Sequence, residues 1–361
     1  MEDLKIQRKI SKSITIGNVQ VGGGSPIRVQ SMTSTPTQDI NATISQIKAL
    51  EFAGCEIVRV AVPDLESARA ISQIKKETSI PIIADIHFDH RLGIAAIKEG
   101  VDGIRVNPGN IKKDHFRELV TAANNASVVI RLGVNAGSLE KDLLAKFGGP
   151  TAGALVESAM RNIHFFEDLG FDRLKISIKS SHVPTMVTAY RDLSNKTIYP
   201  LHLGVTEAGS IVNAAIKSSI GIGLLLSEGI GDTIRVSVTG NPVQEIPVAF
   251  GILRALDIRR VGADVISCPT CGRCKIELAQ IVQEVEKRMS GVRTDLKVAL
   301  MGCIVNGPGE AAEADIGIAG GRGEGILFKR GKVIKKIKER DLITVLFEEI
   351  NKLIRDREEQ S

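Results

Sequence analysis

Short apolar runs recur from residue 27 to residue 238, and each is followed by a segment whose apolar positions return every three or four residues. The runs cover 27–33, 56–62, 82–88, 103–109, 127–135, 173–179, 200–206 and 232–238. Runs of this length predict buried strands, and the segments between them predict amphipathic helices. Over 43–53, Ile44, Ile47, Leu50 and Phe52 approximate one face, and Gly54 is a helix stop. The segment 154–169 behaves alike and ends at Gly170. Eight strand–helix alternations predict an α/β fold with parallel strands closed into a (β/α)8 TIM barrel. An open doubly wound sheet usually has fewer strands. No GxGxxG follows the first run, and the VGGG at 21–24 reads as a turn.

After the eighth unit the pattern changes. Residues 241–258 predict a closing helix, and from Val261 the order is mixed. A strand leads into SCPTC, and a helix over 275–289 carries Leu278, Ile281, Val282, Val285 and Met289 on one face. A strand follows over 297–302, then short, partly hairpin-like strands. A last helix over 341–355 has Ile343, Leu346, Phe347, Ile350 and Ile354 on a stripe. The expected division is a barrel domain, 1–260, and a smaller α+β domain, 261–361.

Composition narrows the function classes. Hydrophobic content is 43% and aromatics only 3%, so the cores are aliphatic. The net charge of +5 is mildly basic and without long Lys/Arg runs, which suits a small anionic ligand better than nucleic acid. The start of the chain shows no apolar signal core, and no run is long enough to span a membrane. A cytoplasmic location is expected, with no membrane partner. Five cysteines favour a metal or redox site over a disulfide framework.

Arg59, Arg105, Arg131 and Arg235 each stand between apolar residues within a predicted strand, and so does Arg28. Arginine there is costly unless paired, so internal ion pairs are one reading. The loops after these strands are polar or glycine-rich, and barrel sites form at such carboxyl ends. Converging guanidiniums would clamp a polyanion. Lys179, His87, Asn135 and Ser138 add polar groups, and Glu207 in VTEAGS is a candidate acid or base. As a set they indicate a phosphorylated substrate.

The segment SCPTCGRC places Cys268, Cys271 and Cys274 together, and Cys303 stands alone in MGCIVNGPGE. All four thiols could close a structural zinc site. That would suit a zinc-stabilised phosphate- or RNA-binding protein without redox activity; a redox-silent barrel enzyme of the pterin-synthase type, using the same anion-binding mouth, is a further alternative. The iron–sulfur reading uses the same cysteines, with the Asn-Gly-Pro-Gly turn bringing Glu310 back. Spacing leaves Cys274 and Glu310 both open as the last ligand. Cys55 reads as an inert core thiol.

PIRVQSMTSTPTQD, ADIHFD, RVNPGNI, IRLGVNAGSL, GVTEAG, GIGDTIRVSVT, SCPTCGR and MGCIVNGPGEAAEADIGIAGG occur in this order. Over nearly its whole length the chain resembles the 4-hydroxy-3-methylbut-2-en-1-yl diphosphate synthases of the methylerythritol phosphate route to isoprenoids, in their shorter, two-domain bacterial form. The resemblance implies a TIM barrel joined to a [4Fe-4S] domain like those of sulfite and nitrite reductases. It implies 2-C-methyl-D-erythritol 2,4-cyclodiphosphate as substrate, a flavodoxin or ferredoxin as electron donor, and a homodimer whose active site is shared between one barrel and the partner's cluster domain. Carried over by motif, Cys268, Cys271, Cys303 and Glu310 would ligate the irons. Arg59, His87, Arg105, Arg131, Asn135, Lys179, Arg235 and Ser237 would hold the cyclic diphosphate, and Glu207 would handle a proton. Glu310 would be the labile ligand, which the substrate's oxygen replaces. The resemblance gives neither Cys274 a ligand role nor Arg28 a place in the site.

Overall fold

The computed structural model describes residues 6–304, 309 and 311–359. It divides into two compact units, Met1–Arg259 and Arg260–Ser361.

In the first unit all eight predicted runs contain a strand. A hairpin of β1 (Ile14–Ile16) and β2 (Val19–Val21) comes first. Then follow β3 (Arg28–Met32), β4 (Ile57–Ala61), β5 (Ile82–Ile86), β6 (Gly103–Val106) and β7 (Val129–Asn135). The set is completed by β8 (Leu174–Lys179), β9 (His202–Leu203) and β10 (Thr233–Ile234). From β3 onward every pairing is parallel, in the order β8-β7-β6-β5-β4-β3-β10-β9. A parallel bridge between Ile176 and Leu201 joins the two ends, so the sheet closes into a barrel.

The β1–β2 hairpin has no forerunner in the sequence pattern, because strands of three residues carry too few alternations to register. Its Ile14, Ile16 and Val21 pack against Ile57, Ile83 and Val129 at the beginnings of barrel strands, and so seal the amino end of the barrel. The first helix runs Ile40–Ala53, capped by the Asp39 carboxylate accepting from the Ala42 amide and stopped by Gly54 at φ 109°. Phe52, expected on its buried face, is 71% exposed. Five residues past Ile47 is about 140° around a helix, which carries the ring off the stripe. An unforeseen helix, Lys141–Phe147, precedes the predicted one, which spans Ala152–Asp168. The closing helix is Glu245–Ala255, entered through a tight turn at Pro242–Gln244.

The second unit is a five-stranded mixed sheet. Its strands are β11 (Ala263–Ser267), β12 (Leu296–Met301), β13 (Ile316–Gly320), β14 (Glu324–Lys329) and β15 (Lys332–Lys338), paired in that order. The first three are parallel and the last two antiparallel to their neighbours. Helices Leu278–Met289 and Leu342–Glu358 cover it, burying Val285, Met289, Leu346 and Ile350 against Leu296, Val298 and Ile318. Among the described residues no helix is long and apolar enough to cross a membrane.

Candidate active site

The barrel interior is polar, which the strand pattern explains. Alternate residues of a strand point the same way, so one set faces inward. The register places Arg59 opposite Met32, sets Asp85, Arg105, Arg131 and Lys175 in one row across four strands, and sets Asn135 opposite Lys179. Asp85 is the hub. Its carboxylate lies 3.1 Å from Arg105 Nη1, 3.7 Å from Arg59 Nε and 3.4 Å from His87 Nε2. Burial by itself would raise this carboxyl; the charge of Arg59, the His87 hydrogen bond and the charges of Arg105 and Arg131 overcome that and hold it far below the usual carboxylate range. Arg59 is drawn down to about 10, by burial first and with Asp85 opposing, and stays charged at neutral pH.

Glu245, the first residue of the closing helix, holds Arg235 through both oxygens, at 2.9 Å and 3.1 Å. Ser31 Oγ and the Val238 amide donate to the same carboxylate. The thioether of Met32 accepts from Arg59 Nε and Nη2 at 3.2 Å and 3.0 Å and lies 3.7 Å from Arg235 Nη1.

Cations outnumber these carboxylates. Arg131, Lys175 and Lys179 have no ion pair among the described residues, and Arg131 leaves Nε and Nη1 without a hydrogen-bond partner although it is 1% exposed. Lys175 is fully buried and makes one long contact, 3.4 Å to Gln30 Oε1. Burial first, then the surrounding guanidiniums, push both lysines well below their usual value. Two glycines make room for this charge. A Cβ on Gly133 would stand 2.5 Å from Arg105 Nε, and one on Gly204 would stand 3.2 Å from Lys179 Nζ.

The rim holds the other expected residues. Asn135, with its amide turned to suit the network, accepts from Arg105 Nη2 at 2.9 Å. Asn107, not anticipated, donates to Ser138 Oγ at 2.7 Å. Ser237 is half-buried two residues beyond Arg235, and Glu207 is exposed, in a left-handed turn at φ 53°. The barrel thus brings together Arg59, Arg105, Arg131, Asn135, Lys179 and Arg235, with His87 touching them through Asp85. Arg28 stands apart, paired with Glu56 at 2.9 Å. Asp85, Glu245, Lys175, Gln30, Met32 and His202 enter the interior unforeseen. His202 Nδ1 lies 2.8 Å from Thr233 Oγ1, and its Nε2 has no partner. Cys55 is buried, its thiol donating to the Ile57 carbonyl and pushed up to about 12 by burial.

In the second unit Cys268 follows β11 and Cys303 lies just beyond β12, at the carboxyl ends of neighbouring parallel strands. The Gly302 amide donates to Cys268 Sγ at 3.2 Å. Cys271 is exposed, and hydrogen bonds from the backbone and side chain of Arg273 lower its pKa. Cys274 is turned inward: its thiol donates to the Ile276 carbonyl at 3.3 Å, and a Cβ on Gly302 would meet it at 2.6 Å. Among the described residues no three His, Cys, Asp or Glu side chains form a cage for a metal ion. A cubane asks for less convergence, since each thiolate binds its own iron. Soft thiols of Cys268 and Cys303 at adjoining strand ends, the first receiving an amide, with Cys271 in the turn after β11 drawn toward thiolate, fit such a group. Glu310 lies outside the described residues.

Two family models match: the GcpE TIM-barrel domain over residues 11–250 and the GcpE protein C-terminal domain over residues 264–352. The chain is 53% identical over 348 residues to a Geobacter sulfurreducens protein named 4-hydroxy-3-methylbut-2-en-1-yl diphosphate synthase (flavodoxin), covering 96% of this chain and 99% of that one. It is 55% identical to the protein of that name from Thermodesulfovibrio yellowstonii, covering 96% and 100%. Among solved structures, dihydropteroate synthase from Stenotrophomonas maltophilia aligns with a TM-score of 0.50 and 16% identity, over 68% of this chain and 98% of that one, a likeness of barrel fold alone.

Proposed function

This chain belongs to the GcpE family, and on that premise we propose that it catalyses the reductive ring opening and dehydroxylation of 2-C-methyl-D-erythritol 2,4-cyclodiphosphate to (E)-4-hydroxy-3-methylbut-2-enyl diphosphate, a step toward isoprenoid precursors. The observation that carries the reading is the surplus of buried positive charge. Arg59, Arg105, Arg131, Lys175, Lys179 and Arg235 share one barrel interior with the carboxylates of Asp85 and Glu245. Such an interior is balanced by a polyanion.

Arg105, Arg131, Lys179 and Arg235 bind the two phosphates, and Asn135 and Ser237 complete the contact. Asp85 and Glu245 fix the direction of the guanidiniums, so the donors need no reorganisation as charge develops on the released phosphate oxygen. His87 and Glu207 sit where the barrel opens, and Glu207 is the acid or base of the set. A [4Fe-4S] cluster on Cys268, Cys271 and Cys303, with Glu310 as its exchangeable ligand, would supply electrons received from a flavodoxin or ferredoxin. On this reading the unit Met1–Arg259 binds substrate and the unit Arg260–Ser361 carries the cluster.

A homodimer is part of the same proposal. Val212, Ile216, Ile220 and Leu224 lie exposed at four-residue spacing on helix Ile211–Ser227, a surface of the kind a second copy covers. Anaerobic purification followed by iron and sulfide analysis, then turnover of the cyclic diphosphate with a low-potential reductant, tests the function. The expected result is a brown protein that forms the allylic diphosphate. A colourless, zinc-containing and inactive protein would overturn it.

A further inference from the structure

Lys175 has no place in the binding set expected from the sequence. It sits four residues before Lys179 on β8, about 13 Å lower along the strand. It is fully buried, opposite Arg131 in register, and among the described residues its only side-chain hydrogen-bond partner is Gln30 across the barrel. The groups that face it are Arg131 on β7, Arg59 on β4, Gln30 on β3, His202 on β9 and Asp232 just before β10. The single carboxylate among them is already engaged, accepting from the Leu201 amide, Ser11 Oγ and Arg8. His202 adds no charge, since burial and then the nearby cations push it well below the usual histidine range.

Without an anion, an ammonium at this position faces two guanidiniums in a sealed interior. A neutral amine does not. With a diphosphate above Arg131 the balance reverses, because two negative charges enter the same low-dielectric space. We propose that Lys175 is the charge-compensating residue of this site, an uncharged amine in the empty barrel that becomes an ammonium when a diphosphate enters, so that anion binding takes up a proton. The direction of its shift in the ligand-free protein agrees. Lys175 touches no reacting atom; it acts through Arg131, its register neighbour on β7, and is a positioning residue. The inference rests on the diphosphate reading of the barrel.

The test uses P1,P2-dimethyl diphosphate, which carries one ionised oxygen on each phosphorus and does not itself titrate near neutral pH. Its binding to the anaerobic, cluster-loaded full chain is followed calorimetrically at pH 8 in two buffers of different ionisation enthalpy. The expected heats differ by about one proton taken up per anion bound, and the dissociation constant rises about tenfold per pH unit on the alkaline side. Lys175→Met, and independently Lys175→Arg, abolishes the buffer dependence. Equal heats in both buffers overturn the inference and leave the diphosphate reading standing. Proton uptake that survives Lys175→Met and vanishes in Lys179→Met also overturns it. No binding in either buffer overturns both.

Discussion

Glu245 grips Arg235 by both carboxylate oxygens, at 2.9 Å and 3.1 Å, from the first turn of the helix that follows the last barrel strand. Glu245 is buried and Arg235 half-buried, so the two do not act independently. Glu245→Ala would leave the guanidinium uncompensated and cost about 3–5 kcal/mol. Chemical denaturation measures that loss, and KM for the cyclic diphosphate rises with it because Arg235 is no longer aimed.

Gly133 tests the site without removing a charge. In Gly133→Ala the new methyl would stand 2.5 Å from Arg105 Nε and push the guanidinium from its place beside Asp85. The expected outcome is a KM raised about tenfold or more, together with a lowered melting temperature, because the buried Asp85–Arg105 pair is disturbed as well. An unchanged KM would show that Arg105 does not meet substrate.

Asp85 sets an acid limit. Its folded-state pKa lies far below its unfolded value, so its stabilisation is fully present above the unfolded value of about 4 and is lost as pH falls toward the folded one. Asp85→Asn should therefore be much less stable than the parent at pH 7. The two unfolding free energies should converge as the pH drops below about 4, which denaturant titrations across pH would record.

The thiols divide by environment. Cys303→Ala should lose most iron and sulfide, whereas Cys274→Ser should keep both, since Cys274 is already committed to the Ile276 carbonyl and the face of Gly302. Iron and sulfide assays on anaerobic protein decide between them.

The same environments explain what could be read from the chain. Strand arginines stand out against apolar neighbours, so Arg59, Arg105, Arg131 and Arg235 were visible as a set. Lys175 lies on the same alternation in KISIK, yet only Lys179 stands at the strand's carboxyl end, where a sequence marks a barrel site; a lysine mid-strand carries no such mark. Asp85 was equally available in ADIHF. Glu245 carries no periodic signal: the turn at Pro242–Gln244 lies between it and the Arg235 it serves. The barrel was legible from eight repeats, while the β1–β2 hairpin is too short to show a period.

That hairpin has a dielectric meaning. Ile14, Ile16 and Val21 lay an apolar plug over the beginnings of three barrel strands. Water reaching the unpaired cations of the interior from that side would have to cross the plug, so loosening it would hydrate charges that the fold keeps dry.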